Sequence, residues 1–231
     1  MTRNGSIGAL PVLREYLQQV REALTAVSEE RVLRVAEALL QARERGSTVY
    51  LLGNGGSAST ASHAANDFTK TGGVDASPAL RTVSLPDNVS MLTAWANDIS
   101  FEDVFSAQLK ALLRAGDLVV AISGSGSSPN VLRAVETARE MGAISVGLAG
   151  FAGGRLRETA DLCVVVPGFA QGPIEDVHLV LVHALTEILK QSAVAEAGPA
   201  SAVEGVGADR LNGRREARSI RVPAGDHGSR S

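Results

Sequence analysis

Short apolar runs alternate with helical segments through most of this chain. The run Thr48 to Leu52 is β-branched and apolar, as a strand buried on both faces should be, and an alanine-rich helical segment follows it. Further runs of the same kind occur at 81–85, 118–122, 144–149 and 162–166. Strands that alternate with helices predict an α/β fold in which helices cover both faces of a parallel sheet.

Two helices are predicted before the first strand. Apolar residues recur at helical spacing from Leu10 to about Ala26, and a second helix opens at Ser28, a favourable N-cap, and stops near Gly46. Later helical segments are predicted at 89–96, 101–113, 128–141, near 156 and at 174–191.

We expect a single folded domain and a tail. A chain of 231 residues suits one large domain, which we place at 1–194 with an N-terminal helical extension from about residue 8. Residues 197–231 are rich in Gly, Ala, Ser and Arg, and their few apolar residues show no period. The segment 195–231 is therefore expected to be a disordered tail.

Composition narrows the possible partners. A formal net charge of -3 gives no long-range electrostatic reason to expect a nucleic-acid or membrane partner. The apolar stretches are far shorter than a membrane span. Cys163 is the only cysteine, so an intrachain disulfide is impossible, which fits a reducing cytoplasm. We expect a soluble, cytoplasmic protein.

Two loops rich in glycine and serine each follow a predicted strand and precede a helix. They are Gly53-Asn54-Gly55-Gly56-Ser57 and Ser123-Gly124-Ser125-Gly126-Ser127-Ser128. Their glycines permit tight turns, and backbone amides at a helix N-terminus can point at an anion. The serine hydroxyls of the second loop make it the stronger candidate for binding phosphate. In parallel α/β sheets, ligands bind at this edge.

A dinucleotide site is the main competing interpretation of the first loop. The dinucleotide fingerprint needs a third glycine, and Ala58 stands in its place. No nucleotide cofactor is therefore expected.

The candidate acid–base groups lie on two predicted helices. His63 and Asp67 are spaced i and i+4, so they project from one face. Glu175 and His183 share a broad face of the last helix, whereas His178 lies on a different side. Such pairs are commonly surface features, but three of the 4 histidines fall in these two helices, which favours function.

Together these residues resemble the phosphoheptose isomerase branch of the SIS (sugar isomerase) domain family. The resemblance covers roughly residues 10–192, and it includes Trp95-Ala96-Asn97-Asp98 and Ile174-Glu175-Asp176-Val177-His178 besides the two loops. It implies a flavodoxin-like, doubly wound parallel sheet with N-terminal helices. It also implies a homotetramer whose active sites lie between subunits.

The resemblance implies the reaction and its residues. It predicts an aldose–ketose isomerase that converts sedoheptulose 7-phosphate to a heptose phosphate through an enediol, with Asp67 and His183 as acid and base. The substrate contacts that it implies are Asn54, Gly55, Gly56, Ser57, Asn97, Asp98, Ser123, Gly124, Ser125, Ser128 and Glu175.

Some members of the family also bind zinc at this site. The matching positions are His63, Asp67, Glu175 and His183, and zinc there could polarise the carbonyl as a Lewis acid. Here Asp67 replaces the usual Glu and Glu175 replaces the usual Gln. Two carboxylates that face one cavity need a cation or a shared proton, so these changes favour a metal.

Other departures concern the sugar. Gly124 is the middle residue of a motif that is Ser-Thr-Ser in the family, and Thr71 stands where an Arg is expected. These changes leave the length and stereochemistry of the sugar open. The alternatives to the isomerase are an epimerase or lyase acting on a related phosphosugar, and a non-catalytic SIS module that serves as a sugar-phosphate sensor or oligomeric adaptor.

Overall fold

The structure is a computed structural model that describes residues 8–71 and 78–197. Its strands are β1 Thr48–Gly53, β2 Arg81–Ser84, β3 Leu118–Ser123, β4 Ile144–Gly150 and β5 Leu162–Val166. Its helices are α1 Ala9–Thr25, α2 Glu29–Glu44, α3 Gly56–Lys70, α4 Val89–Asp98, α5 Ser106–Leu112, α6 Pro129–Glu140, α7 Leu156–Thr159 and α8 Gln171–Ala197. The predicted tail lies outside the described residues from 198 onward.

The five strands form one parallel sheet in the order β2-β1-β3-β4-β5. This is the flavodoxin-like order, and it confirms the predicted doubly wound sheet. Each predicted strand is present, with boundaries within one residue of those expected. The central strands β1 and β3 are buried along their whole length, which is why they appear in the sequence as continuous apolar runs.

Alternate residues of each strand enter two separate cores. Val49 and Leu51 of β1 pack with α1, α2, α3 and α8 on one face of the sheet. Tyr50 and Leu52 pack with α5, α6 and α7 on the other. Because side chains alternate along a strand, one apolar run supplies both cores.

Two helices differ from their predicted bounds. The segment 101–113 is divided into a 3-10 turn, Phe101–Asp103, and α5, because the Ser100 hydroxyl accepts the Glu102 amide and starts the turn separately. The last helix runs from Gln171 to Ala197, so it begins three residues earlier and ends six residues later than expected, and residues 195–197 of the predicted tail are helical. Pro173 is tolerated there because it lies in the first turn, where backbone amides have no partner within the helix.

Among the described residues, every helix is too short or too polar to cross a membrane.

Candidate active site

The two glycine- and serine-rich loops lie side by side at the carboxyl edge of the sheet. They follow β1 and β3, which are neighbouring strands, and they lead into α3 and α6 respectively. Helix α3 packs on one face of the sheet and α6 on the other. The chain therefore leaves these strands in opposite directions, and this divergence opens a crevice where ligands of such folds bind.

A pocket of about 200 Å³ occupies this crevice. Its lining comes from both loops and from the start of α8, and consists of Asn54, Ser57, Ile122, Ser123, Gly124, Ser125, Ser128 and Gln171. The Ser123 Oγ lies 3.4 Å from the Ser125 Oγ and 3.3 Å from the Ser128 Oγ, so three hydroxyls converge.

The pocket offers an anion hydrogen-bond donors without a formal charge. Among the described residues, no lysine or arginine lines it. Ser57 lies in the first turn of α3 and Ser128 is the N-cap of α6, so two helix N-termini border the pocket. Free backbone amides and serine hydroxyls at such positions suit a phosphate group.

Two glycines of the first loop are required by geometry. Gly55 has a φ of 55°, in the left-handed region that favours glycine. A Cβ at Gly53 would lie 2.8 Å from the Ile122 carbonyl oxygen of the adjacent strand. The first loop therefore keeps its tight turn and its close approach to β3 only with glycine at these positions.

A reciprocal amide pair joins the first loop to α6. The Asn54 Nδ2 donates to the Asn130 Oδ1 at 2.9 Å, and the Asn130 Nδ2 donates to the Asn54 Oδ1 at 2.8 Å. Asn130 is almost fully buried. Since each amide satisfies the other, this pair fixes the first loop against the helix that begins the second.

The first turns of α8 reach across both loops. The Gln171 Nε2 donates to the Glu175 Oε1 at 2.9 Å. If Gly56 carried a Cβ, that atom would lie 2.7 Å from the carboxyl carbon of Glu175. If Gly124 carried a Cβ, that atom would lie 2.8 Å from the carboxamide carbon of Gln171. Both side chains thus fill space that the two glycines leave free.

His63, Asp67 and His183 converge into one cluster. The Nε2 atoms of His63 and His183 are 2.9 Å apart, and the Asp67 Oδ2 lies 3.1 Å from the first and 3.8 Å from the second. Asp67 is largely buried, whereas both imidazoles are about half exposed. The structure therefore gathers the carboxylate and imidazole expected for proton transfer in a position open to a ligand.

The same three atoms fit a zinc ion. Zinc bonds of about 2.0–2.1 Å in tetrahedral geometry place neighbouring ligand atoms about 3.3 Å apart. The three observed separations are 2.9, 3.1 and 3.8 Å, and two nitrogens with one carboxylate oxygen are a donor set that zinc accepts. Glu175, the fourth residue of the predicted metal set, is not part of this group: its carboxylate faces Gln171 and Gly56.

Three other residues singled out in the sequence lie apart from these clusters. Asn97 and Asp98 end α4, where the Asn97 Nδ2 donates to the Asp98 Oδ1 at 2.7 Å, and neither is hydrogen-bonded to a loop in the described part of the chain. His178 is fully buried, with its Nε2 3.2 Å from the Ala149 carbonyl oxygen. Burial lowers the pKa of His178 and favours its neutral form.

Sequence reasoning missed Gln171 and Asn130. Gln171 is four residues before Glu175, so on one helix the two side chains share a face. The predicted helix began at 174, which left Gln171 outside it. Asn130 carries no local signal, because its partner Asn54 is distant in sequence.

The chain is similar to proteins of known family. The family model described as "SIS domain" matches residues 15–150. The phosphoheptose isomerase of Desulfovibrio desulfuricans is 42% identical over 159 residues, which cover 69% of this chain and 73% of the relative. That of Aneurinibacillus thermoaerophilus is 36% identical over 177 residues, covering 75% of this chain and 88% of the relative.

A solved structure gives the same result. The phosphoheptose isomerase from Neisseria gonorrhoeae superposes with a TM-score of 0.72 at 33% identity, covering 79% of this chain and 97% of that one.

Proposed function

Because this chain belongs to the SIS domain family and, within it, to the phosphoheptose isomerases, we propose that it interconverts sedoheptulose 7-phosphate and an aldose heptose 7-phosphate. One observation carries the proposal beyond family membership. Two of the three helices that border the serine-lined pocket, α3 and α8, also bring Asp67, His63 and His183 together. A phosphate site and a proton-transfer site are the two parts that such an isomerase needs.

The reaction moves a carbonyl from C2 to C1 through an enediol. A base must take a proton from C1 while the C2 oxygen gains one. The O1 hydroxyl then loses its proton as C2 receives one. We assign the transfer between carbons to the Asp67 carboxylate and the transfer between oxygens to the His183 imidazole. The Asp67 Oδ2 and the His183 Nε2 are 3.8 Å apart, so both groups can reach the same two-carbon unit.

The pocket residues hold the substrate by its phosphate end, which is remote from the reacting carbons C1 and C2. Ser57, Ser123, Ser125 and Ser128 would donate hydroxyl hydrogens to the phosphate, and the amides of Gly55 and Gly56 would do so at the start of α3. Glu175 would accept from a sugar hydroxyl at the pocket rim. Asn97 and Asp98 remain proposed contacts, which depend on a neighbouring subunit.

Zinc is a proposed cofactor of this site. His63, Asp67 and His183 would hold it, and since the His183 Nε2 would then be a ligand, the proton transfer assigned to this imidazole applies to the site without the metal. When bound, zinc would polarise the substrate carbonyl oxygen and so make the adjacent C–H more acidic.

We further propose that one SIS domain, residues 1–194, forms each subunit of a homotetramer with active sites between subunits. Support comes from α1, whose apolar residues Leu10, Leu13 and Leu17 are each more than half exposed. A helix face of this kind is typical of a protein interface.

A non-catalytic sugar-phosphate sensor or adaptor is not supported. Such a module needs the pocket but has no need of a carboxylate and two imidazoles in contact. The relatives that match most of the chain are named isomerases.

Isomerisation in deuterated water tests the proposal. We expect sedoheptulose 7-phosphate to yield an aldose that carries deuterium at C2, as read by NMR. The change Asp67→Asn keeps the shape of the side chain but removes the base, so kcat should fall by about 10²–10⁴-fold. His183→Ala should show a loss of similar size.

The matched control is Glu37→Gln, which neutralises an exposed carboxylate on α2 and should leave kcat unchanged. Inorganic phosphate should still bind both active-site variants in calorimetry. Full activity of Asp67→Asn and His183→Ala would contradict the acid–base assignment.

A further inference from the structure

Gln171 lines the phosphate pocket, although it is not among the substrate contacts predicted from the sequence. Its carboxamide lies against Gly124, so close that a Cβ there would be 2.8 Å from the Gln171 Oε1. Gly124 has no left-handed φ, so its backbone conformation is open to other residues. The end of the Gln171 side chain occupies the space that a Cβ would take at this position, so this side chain and not the turn favours glycine here.

The Gln171 carboxamide has unused hydrogen-bonding groups. It carries two N–H donors and one carbonyl acceptor. Among the described residues it makes one hydrogen bond, from Nε2 to the Glu175 Oε1. One N–H and the carbonyl oxygen therefore remain for a ligand. The bond to Glu175 fixes the carboxamide in the pocket, which Ser123 and Ser125 also line.

We propose that Gln171 is a substrate-binding residue that donates its free N–H to the phosphate end of the sugar phosphate, and that Gly124 serves to admit it. This inference rests on the proposed function and deepens it. A serine or threonine at position 124 would supply one hydroxyl from the loop to the ligand. In this chain the carboxamide of Gln171, from α8, occupies the same space, so Gln171 compensates for the hydroxyl that Gly124 lacks.

The change Gln171→Ala should weaken substrate binding without slowing chemistry. A hydrogen bond to a charged group of this kind makes about a 10-fold difference in affinity or more. We expect KM for the ketose phosphate to rise about 10-fold while kcat stays within about twofold, because the phosphate is held equally in ground and transition states. The dissociation constant of inorganic phosphate, from calorimetry, should rise by a similar factor.

A charge change separates binding from folding. Gln171→Glu places a carboxylate at the N-terminus of α8, where acidic residues stabilise a helix. The N-terminus of α8 favours this carboxylate, but the Glu175 carboxylate four residues later repels it, so the two effects oppose each other and the thermal unfolding midpoint should change little. The change should nevertheless weaken phosphate binding more than Gln171→Ala does, because the new charge repels the anion. If phosphate affinity is the same in Gln171→Glu as in the parent protein, the inference is wrong.

A double-mutant cycle tests the part played by Gly124. The Cβ of Gly124→Ala should push the carboxamide out of place and reproduce the KM of Gln171→Ala. The double variant should then be no worse than either single variant, since both remove one interaction. Fully additive losses would contradict the link. Gln41→Ala, which truncates an exposed glutamine on α2, is the matched control and should change nothing.

These experiments distinguish a failure of the Gln171 inference from a failure of the proposed function. If the parent protein isomerises no heptose phosphate yet binds inorganic phosphate, the reaction assignment fails and calorimetry on the variants still decides the role of Gln171. If the parent protein is active and Gln171→Ala matches it in KM and phosphate affinity, only the inference fails.

Discussion

At the scale of single residues, the structure changes the role of Asn54. The family resemblance implies that Asn54 contacts the substrate. In the structure its carboxamide oxygen and nitrogen each make one hydrogen bond in the reciprocal pair with Asn130, at 2.8 and 2.9 Å. Breaking this pair would leave a buried amide unsatisfied, which is costly. The Asn54 side chain therefore positions the loop against α6, and its second N–H remains for the predicted substrate contact.

Metal binding is a prediction at the same scale. His63→Ala removes one of three converging ligand atoms, so zinc retained after equilibration and desalting should fall from about one per chain to a small fraction. Elemental mass spectrometry measures this content independently of activity. Glu175→Gln should keep its zinc, because Glu175 faces Gln171 and Gly56 instead of the histidines. Zinc loss in Glu175→Gln would instead support the four-residue set.

At the scale of elements, two aspartates perform the same function at the starts of β3 and β5. The Asp117 carboxylate, just before β3, accepts the Thr48 amide at the start of β1 and the Arg114 amide, both at 2.8 Å. Asp161, just before β5, accepts the Ser145 amide at 2.8 Å near the start of β4. Each carboxylate ties adjacent strands together at the edge opposite the pocket.

Asp117→Asn should therefore destabilise the sheet without harming the site. Its carboxamide presents N–H groups to one of the two backbone donors, so a charge-assisted bond is lost. We expect a decrease of about 1.5–3 kcal/mol in the free energy of unfolding, measured with urea. The activity of the folded fraction should be unchanged. A fall in kcat at full stability would show that Asp117 affects the site.

At the scale of the whole molecule, the exposed apolar face of α1 is the feature that a single subunit does not explain. Leu10, Val12, Leu13 and Leu17 are exposed by 56%, 59%, 54% and 53% on a helix that packs against α8, and in the proposed assembly we expect another subunit to cover them. This is the basis for the proposed tetramer.

Replacing two of these leucines should disrupt assembly. The double change Leu13→Lys and Leu17→Lys keeps helix propensity but places two charges on the apolar face. We expect light scattering coupled to size-exclusion chromatography to show a smaller species than the parent tetramer. Gln18→Lys, which adds a lysine at an exposed polar position of the same helix, should leave the mass unchanged. An unaltered tetramer in the double variant would place the interface elsewhere.

Local patterns in the sequence were enough for the architecture. In the sequence, the burial of β1 and β3 on both faces is visible as apolar runs. The N-cap Ser28 marks the start of a helix, and runs of glycine and serine mark the loops after β1 and β3. The pairing of His63 with Asp67 followed from i and i+4 spacing on a helix. These features depend on neighbours within a few residues, so the order of residue types is sufficient to predict them.

Contacts between distant segments were decided only by the tertiary structure. The His63 Nε2 meets the His183 Nε2 across 120 residues, and Asn54 meets Asn130 across 76. Gln171 enters the pocket because Gly124 leaves space for it, and Glu175 faces Gly56 away from the histidine cluster. No periodicity encodes such meetings, because they follow from how α3, α6 and α8 pack on the sheet and from the space that each side chain leaves to the next.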